Sequence, residues 1–392
     1  MKAGNQTLLK KNNQRAITDY IIKNGPISRA DLSKLLKISK PTVSANVTEL
    51  MEMQLLHEIG YSETDIGKKP MLVDFNKDFE YILALDFISF ISKNIVTVAV
   101  CNLYCEILFN STIDLGDDFS AHTLTYDFPK ALLNSFDIND IPMDKIGVVV
   151  LTAPTVIHDS NHIKFECRNG DFVNLAEIIK KNIDKEILVK NDINLAALGE
   201  KYFGVGKKAN NLLFVWAGLA VGGGIILNGE LYEGFNRGGG ELAYSTVFDE
   251  ITGEYAFIKD ILSYHGIRKY IDHFKEDAEK SSIAEKLFAK KISLDDMITA
   301  AHGGDEFCRN FATYIAKTMT AIICNLSGSL DLEMAIIGGE YSRFGHLFTD
   351  EIVKRLELMP ITYTQITTPM YGNSAMYGAF KMGADAIISN LI

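Results

Sequence analysis

Residues 28–69 place the tightest limit on what this chain can fold into. They read SRADLSKLLKISKPTVSANVTELMEMQLLHEIGYSETDIGKK. Ser28-Arg29-Ala30-Asp31 has the form of a capping box, a serine at the N-cap and an acid three residues on. Leu32, Leu35 and Leu36 follow at helical spacing until Lys37-Ile38-Ser39 interrupts them. Lys40-Pro41 opens a second helix, expected over 42–53, because a proline in the first turn loses no hydrogen bond. Residues 55–59 and 71–75 read as two strands joined by the polar stretch 60–70. Ahead of all this, Ile17, Tyr20 and Ile21 share one face of a helix that Gly25-Pro26 ends. Two short helices about a tight turn, followed by a β-hairpin, have the layout of a winged helix-turn-helix.

Charge agrees. The whole chain carries −11, yet residues 1–76 hold 11 Lys+Arg against 8 Asp+Glu, a net of +3, which leaves −14 for the remainder. A basic end on an acidic body suits a reader of double-stranded operator DNA joined to a small-molecule domain. The second helix is expected in the major groove. Lys40, Thr42, Ser44, Ala45 and Asn46 are read as its outward positions, with Val43, Val47 and Leu50 facing the core. Short hydroxyls and amides suit base edges and phosphates at close range. The candidate DNA contacts are therefore Arg15, Ser28, Arg29, Lys34, Ser39, Lys40, Thr42, Ser44, Ala45, Asn46, Lys68 and Lys69. Lys68 and Lys69, flanked by Gly67 and Pro70, fit either a minor-groove probe or a solvated linker. A helical hairpin made for protein contact is the alternative for the whole module.

From residue 81 the texture becomes strands alternating with helices, the pattern of an α/β core with a mixed sheet. The uncharged run 212–227 is 16 residues long, short of the roughly 20 needed to span a bilayer, and its middle is glycine. It reads as buried strand, glycine turn, buried strand, so no membrane association is expected. Five scattered cysteines without a CxxC pair, and a start lacking an apolar leader core, suggest a cytoplasmic protein with reduced thiols. Three patches could serve a ligand. Asn191-Asp192 stands where a strand ends and a helix begins, Gly218–Gly224 is glycine-rich, and Gly238-Gly239-Gly240 precedes Glu241. Carboxylates and amides in a cleft suit vicinal sugar hydroxyls. Asp192 alone is equally well read as a helix cap.

Together, the DNA-reading segment, Leu85-Asp86, Asn191-Asp192, the glycine-rich run, Gly240-Glu241 and Ile337-Gly338-Gly339 resemble, in order, the ROK family. That family groups sugar-responsive repressors with bacterial sugar kinases. The resemblance implies a two-lobed actin/hexokinase-like (ribonuclease H-like) α/β body behind the winged module. The expected divisions are 1–76, then 77–195 with a helix near 372–392 packed back on it, then 196–371. It implies a sugar or phosphosugar effector held by Asn191, Asp192 and Glu241, with Tyr244 within reach, and a homodimer or homotetramer. The departures from the kinase pattern point away from catalysis. An acidic-x-Gly-x-Thr phosphate turn is replaced by Asp86-Phe87-Ile88-Ser89-Phe90, and Gly-Thr-Gly-Ile-Gly by Gly218-Leu219-Ala220-Val221-Gly222. Tyr244 stands where many members have a zinc-binding histidine, and 245–270 holds no cysteine. No ATP, no zinc and no catalytic residue are expected. An active sugar kinase with an appended reader, and a regulator answering to a protein partner, are the rivals.

Overall fold

The computed structural model describes residues 2–61, 69–87, 94–117, 119–153, 164–167, 170–360 and 363–392. The N-terminal module has helices α1 (Lys2–Asn24), α2 (Arg29–Leu36) and α3 (Lys40–Glu52). Strands β1 (Ile27–Ser28), β2 (Leu56–Tyr61) and β3 (Met71–Phe75) form an antiparallel sheet in the order β1-β3-β2. Both short helices start at serines. Ser28 accepts from the Asp31 N–H and Ser39 from the Thr42 N–H, which fills otherwise orphaned donors. Lys37, at φ 56°, turns the chain between them. Leu32, Val43, Val47 and Leu50 are fully buried beneath α1 and the wing.

Strands β4 (Tyr81–Asp86), β5 (Ile95–Cys101), β6 (Ile107–Asp114), β7 (Ile146–Ala153) and β10 (Glu186–Asn191) form one five-stranded sheet, ordered β10-β7-β4-β5-β6. A small hairpin of β8 (Lys164–Glu166) and β9 (Phe172–Asn174) stands apart. Helices α4 (Phe128–Ile138) and α5 (Leu175–Asn182) cover one face. Helix α6 (Asp192–Tyr202) leads to a second five-stranded sheet. There β11 (Leu212–Ala217), β12 (Val221–Leu227), β13 (Glu230–Leu231), β16 (Met334–Gly338) and β17 (Gln365–Thr367) run in the order β13-β12-β11-β16-β17. Another hairpin, β14 (Thr246–Asp249) with β15 (Glu254–Phe257), and helices including the 25-residue Glu306–Leu330 cover that lobe. In each sheet the first strand pairs antiparallel into a meander on one side and parallel with later strands on the other. The topology is thus duplicated, although the sequence shows no repeat.

The run read as strand, glycine turn, strand is corrected in one respect. Only residues 218–220 turn, and Gly222, Gly223 and Gly224 lie within β12. A Cβ at Gly224 would meet the Ala197 Cβ at 2.6 Å and the Ile193 carbonyl at 2.7 Å. The glycines let α6 lie almost on the strand.

The helix Ser374–Leu391 packs on α6, β4 and β7, crossing α6 where Gly199 and Gly378 face opposing backbone. One hydrophobic cluster runs unbroken from the winged module (Ile17, Val47, Phe75) through Ala99 and Leu103 to Phe380 and Ile388. Beside it Tyr104 stacks on Phe75 at 5.8 Å, and Lys77 pairs with Glu106 at 2.6 Å. The module is therefore seated on the first lobe. No helix among the described residues is long and apolar enough to cross a membrane.

Candidate functional site

The predicted DNA contacts divide by what already holds them. Lys40, Ser44 and Ala45 are exposed along α3, Thr42 is half-buried in its first turn, and Lys34 is exposed on α2 beside Asp31 at 3.0 Å. Ser39 is exposed, but its hydroxyl caps α3 and lies 2.7 Å from the Thr42 hydroxyl. Lys69 is exposed at the root of the wing, and Lys68 lies outside the described residues.

Two candidates are corrected by burial, and two more are engaged within the protein. Ser28 is 2% exposed and serves as the α2 cap. Asn46 is 4% exposed and donates to the Thr42 carbonyl at 2.8 Å. It stands three residues after Val43 and four before Leu50, so helical phase puts it on the core face. Arg29 bridges α2 to α3, donating to the Thr48 hydroxyl at 3.1 Å and the Ser44 hydroxyl at 3.3 Å, and lies 3.5 Å from Glu58. Arg15 donates to the Ser389 hydroxyl at 2.9 Å, which ties the module to the C-terminal helix.

The second site forms at the sheet edge where the parallel strands β4, β7 and β10 all end. Asp86, Thr152 and Asn191 stand there. Asp86 is buried, accepting a short hydrogen bond from the Thr152 hydroxyl and one of 2.6 Å from the Asn373 amide. Asn191 caps α6, its Oδ1 accepting from the Ile193 and Asn194 N–H groups at 3.0 and 2.9 Å. Asp192 is the next residue and is 9% exposed. Burial, with the nearby charges of Asp86 and Glu241, pushes its carboxyl up to about 7, against a bond from the Ile193 N–H that favours the charged form. Glu241 arrives on a separate loop. Gly240 holds φ 88°, and its carbonyl accepts from the Gly223 N–H at 2.7 Å, which anchors the loop over β12. Burial raises the Glu241 carboxyl as well.

The Asp192 and Glu241 carboxylates thus converge, whereas the Tyr244 side chain, in the turn that follows Glu241, is exposed. It is 60% exposed, edge-on to Phe257 at 6.0 Å, with the Lys259 ammonium 4.3 Å above its ring. No side-chain hydrogen bond among the described residues joins it to Asn191, Asp192 or Glu241. Asp86 belongs to the cluster although its sequence context marked only an altered phosphate turn; its place at a strand end was the available signal.

Of the two altered loops, residues 88–90 lie outside the described ones, and Phe87 is fully buried against Phe128 at 6.0 Å. At the other, the Glu340 carboxylate lies where a Cβ on Gly218 would stand, and its Oε2 is buried without a hydrogen-bond partner. That carboxylate had no sequence signal. Among the described residues no group of three or more His, Cys, Asp or Glu is arranged to hold a metal ion. A larger cavity of about 290 Å³, lined by Tyr270, Phe274, Phe307 and Tyr314 among others, lies in the helical part of the second lobe and includes none of the predicted site residues.

Residues 110–386 match the ROK family model, and residues 11–56 match a winged helix-turn-helix DNA-binding model. A xylose repressor of Caldicellulosiruptor bescii is 26% identical over 371 residues, covering 89% of this chain and 88% of the relative. Among solved structures, a ROK family transcriptional regulator described as a homolog of the E. coli MLC protein superposes with a TM-score of 0.79 at 21% identity, covering 98% of both chains. The ROK hexokinase of Thermus thermophilus superposes with a TM-score of 0.60 at 14% identity, covering 79% of this chain and 99% of its own.

Proposed function

Because the chain belongs to the ROK family, we propose that it is a transcriptional repressor whose hold on operator DNA is set by a sugar bound around Asn191, Asp192 and Glu241. The observation that carries this is the continuity of one core from a complete winged reader to the body that holds the converging carboxylates. The similarity to xylose repressors over nearly the whole length supports it.

In this reading Lys34, Lys40, Thr42, Ser44 and Ala45 meet the DNA, and two copies of the chain act on a two-fold site. Sugar hydroxyls donate to Asp192 and Glu241. A signal can leave the cleft through the helix Ser374–Leu391. Asn373, its N-cap, donates to Asp86 at one end, and Ser389 accepts from Arg15 at the other. The sugar shifts DNA affinity only as far as it binds one arrangement of lobes and readers better than the other.

A kinase reading is weaker. Phosphoryl transfer rests on positioning and on stabilising negative charge. Here the half-buried Glu340 carboxylate, its Oε2 fully enclosed, occupies the approach to Gly218, where it would repel a phosphate.

The test is fluorescence anisotropy of the full chain on its own upstream intergenic DNA, at fixed salt because affinity depends on it, repeated with a panel of sugars. Tight binding that one sugar weakens is expected. Asp192→Ala should keep the sugar-free affinity and lose the response; an equal response in that variant defeats the site. ATP-dependent phosphorylation of a sugar would restore the kinase reading.

A further inference from the structure

We propose that the cavity in the helical part of the second lobe is a binding site for a small organic ammonium ion with an apolar body, an arylalkyl amine in its protonated form. The cavity shares no residue with the cleft around Asp192, and the proposal does not depend on that cleft holding a sugar.

The cavity lies between the helices Tyr264–His273 and Lys275–Ala278, the helix Glu306–Leu330 and the turn that joins β14 to β15. Its volume is about 290 Å³. A cavity of about 150 Å³ already takes benzene, so a ring and a short chain fit here. The walls are aromatic. The Tyr270 ring lies 4.8 Å from that of Phe274, 5.5 Å from Phe307 and 5.1 Å from Tyr314. Of the two phenols, Tyr314 is already claimed, its hydroxyl donating to Asp249 at 2.8 Å. Tyr270 is 4% exposed and lines the cavity, yet its hydroxyl makes no hydrogen bond among the described residues. A buried hydroxyl is ordinarily bonded, so one left open on a cavity wall marks where a ligand atom completes it.

The surrounding charges say which atom. The lining holds the Glu250 and Asp277 carboxylates. Its one cation among the described residues, Lys317, lies 3.6 Å from Glu250. Outside the cavity Lys280 meets Asp277 at 2.9 Å. Asp277, Glu276 and Glu306 together hold that ammonium above its usual range, so the field over this end of the cavity is negative. Burial first, then the nearby Cys308 and Asp277, keep the proton on the Tyr270 hydroxyl. A protonated phenol still offers lone pairs, so it accepts from an N–H. An ammonium placed there donates to Tyr270 and Asp277 while its charge lies against the aromatic faces. A neutral ring would leave that field unused, and an anion would be repelled by both carboxylates.

The experiment is calorimetric titration of the full chain at pH 7 with phenethylamine, phenethyl alcohol and phenylacetate. These probes are similar in shape and carry positive, zero and negative charge. The wild type should bind the amine at least tenfold tighter than the alcohol, and phenylacetate most weakly. Tyr270→Phe keeps the ring and removes a hydroxyl that no described residue uses; Asp277→Asn alters an exposed side chain. Both should fold, as circular dichroism would verify. Each should narrow the gap between amine and alcohol at least threefold while leaving the alcohol within twofold. Absence of binding by all three probes, an alcohol bound as tightly as the amine, or a gap that survives in either variant overturns the site. None of these outcomes bears on the sugar cleft.

Discussion

Replacing Asp192 by asparagine should stabilise the ligand-free protein, and more so as pH rises. In the folded chain this carboxyl titrates at about 7, against 3.8 for an ordinary aspartate. The folded state therefore binds the proton more tightly than the unfolded one. Its contribution to stability is complete below pH 3.8 and is lost as pH climbs to 7. Above that, the wild type keeps a buried charge whose cost is about 4 kcal/mol, from roughly three pH units at about 1.36 kcal/mol each. Asparagine has the same shape, still accepts from the Ile193 N–H, and carries no charge. Urea unfolding of both proteins at pH 5, 6, 7 and 8 measures the difference. The gap should be about 1.6 kcal/mol at pH 5, widen by about 1.4 kcal/mol per unit towards pH 7, and level off at about 4 kcal/mol beyond it. A variant no more stable than wild type at pH 8, or a gap that does not change with pH, would refute the argument. Under the proposed function the same variant should lose affinity for the effector, because the charge that destabilises the empty cleft is the one assigned there to sugar hydroxyls.

Three further outcomes are expected. Ser39→Ala removes the α3 cap and should cost about 1 kcal/mol, seen as faster hydrogen exchange in the first turn of that helix and weaker operator binding; unchanged exchange would remove the cap from the account. Gly224→Ala forces a methyl between β12 and α6, and overpacking of this kind costs about 1–3 kcal/mol; an unaltered melting temperature would show that α6 can move aside. Glu200 is fully buried, accepting from the Ser374 hydroxyl and from the Met370 and Val205 N–H groups. Glu200→Gln turns an NH₂ toward one of those donors and should cost about 2–3 kcal/mol, a loss that thermal unfolding at pH 7 would measure.

The winged module was legible because its signals are local: two serine caps, one proline, and leucines at helical spacing. The misread positions there have local causes too. Ser28 is polar and reads as a DNA contact by residue type, yet the α2 cap claims it first. Asn46 could have been placed correctly from helical phase alone. In the body, Asn191, Asp192 and Glu241 stand out in the sequence because they fall at loop and strand ends, where ligand-binding side chains concentrate. Long-range packing was not legible. Nothing around Gly222–Gly224 says that a helix lies on that strand, Glu340 shows no local sign of reaching Gly218, and the second sheet repeats the first in topology without repeating its residues.

The helix Ser374–Leu391 bears on where mutations should appear in a genetic screen. It is bonded near one end to Asp86 and near the other to Arg15, so a selection for altered regulation should recover alleles in it although none of its residues is among the proposed DNA or sugar contacts. Under the proposed function, lesions near residue 374 should disturb the cleft and yield strains blind to the sugar. Lesions near residue 389 should unseat the reader and yield constitutive expression. Opposite phenotypes would then map to the two ends of one helix.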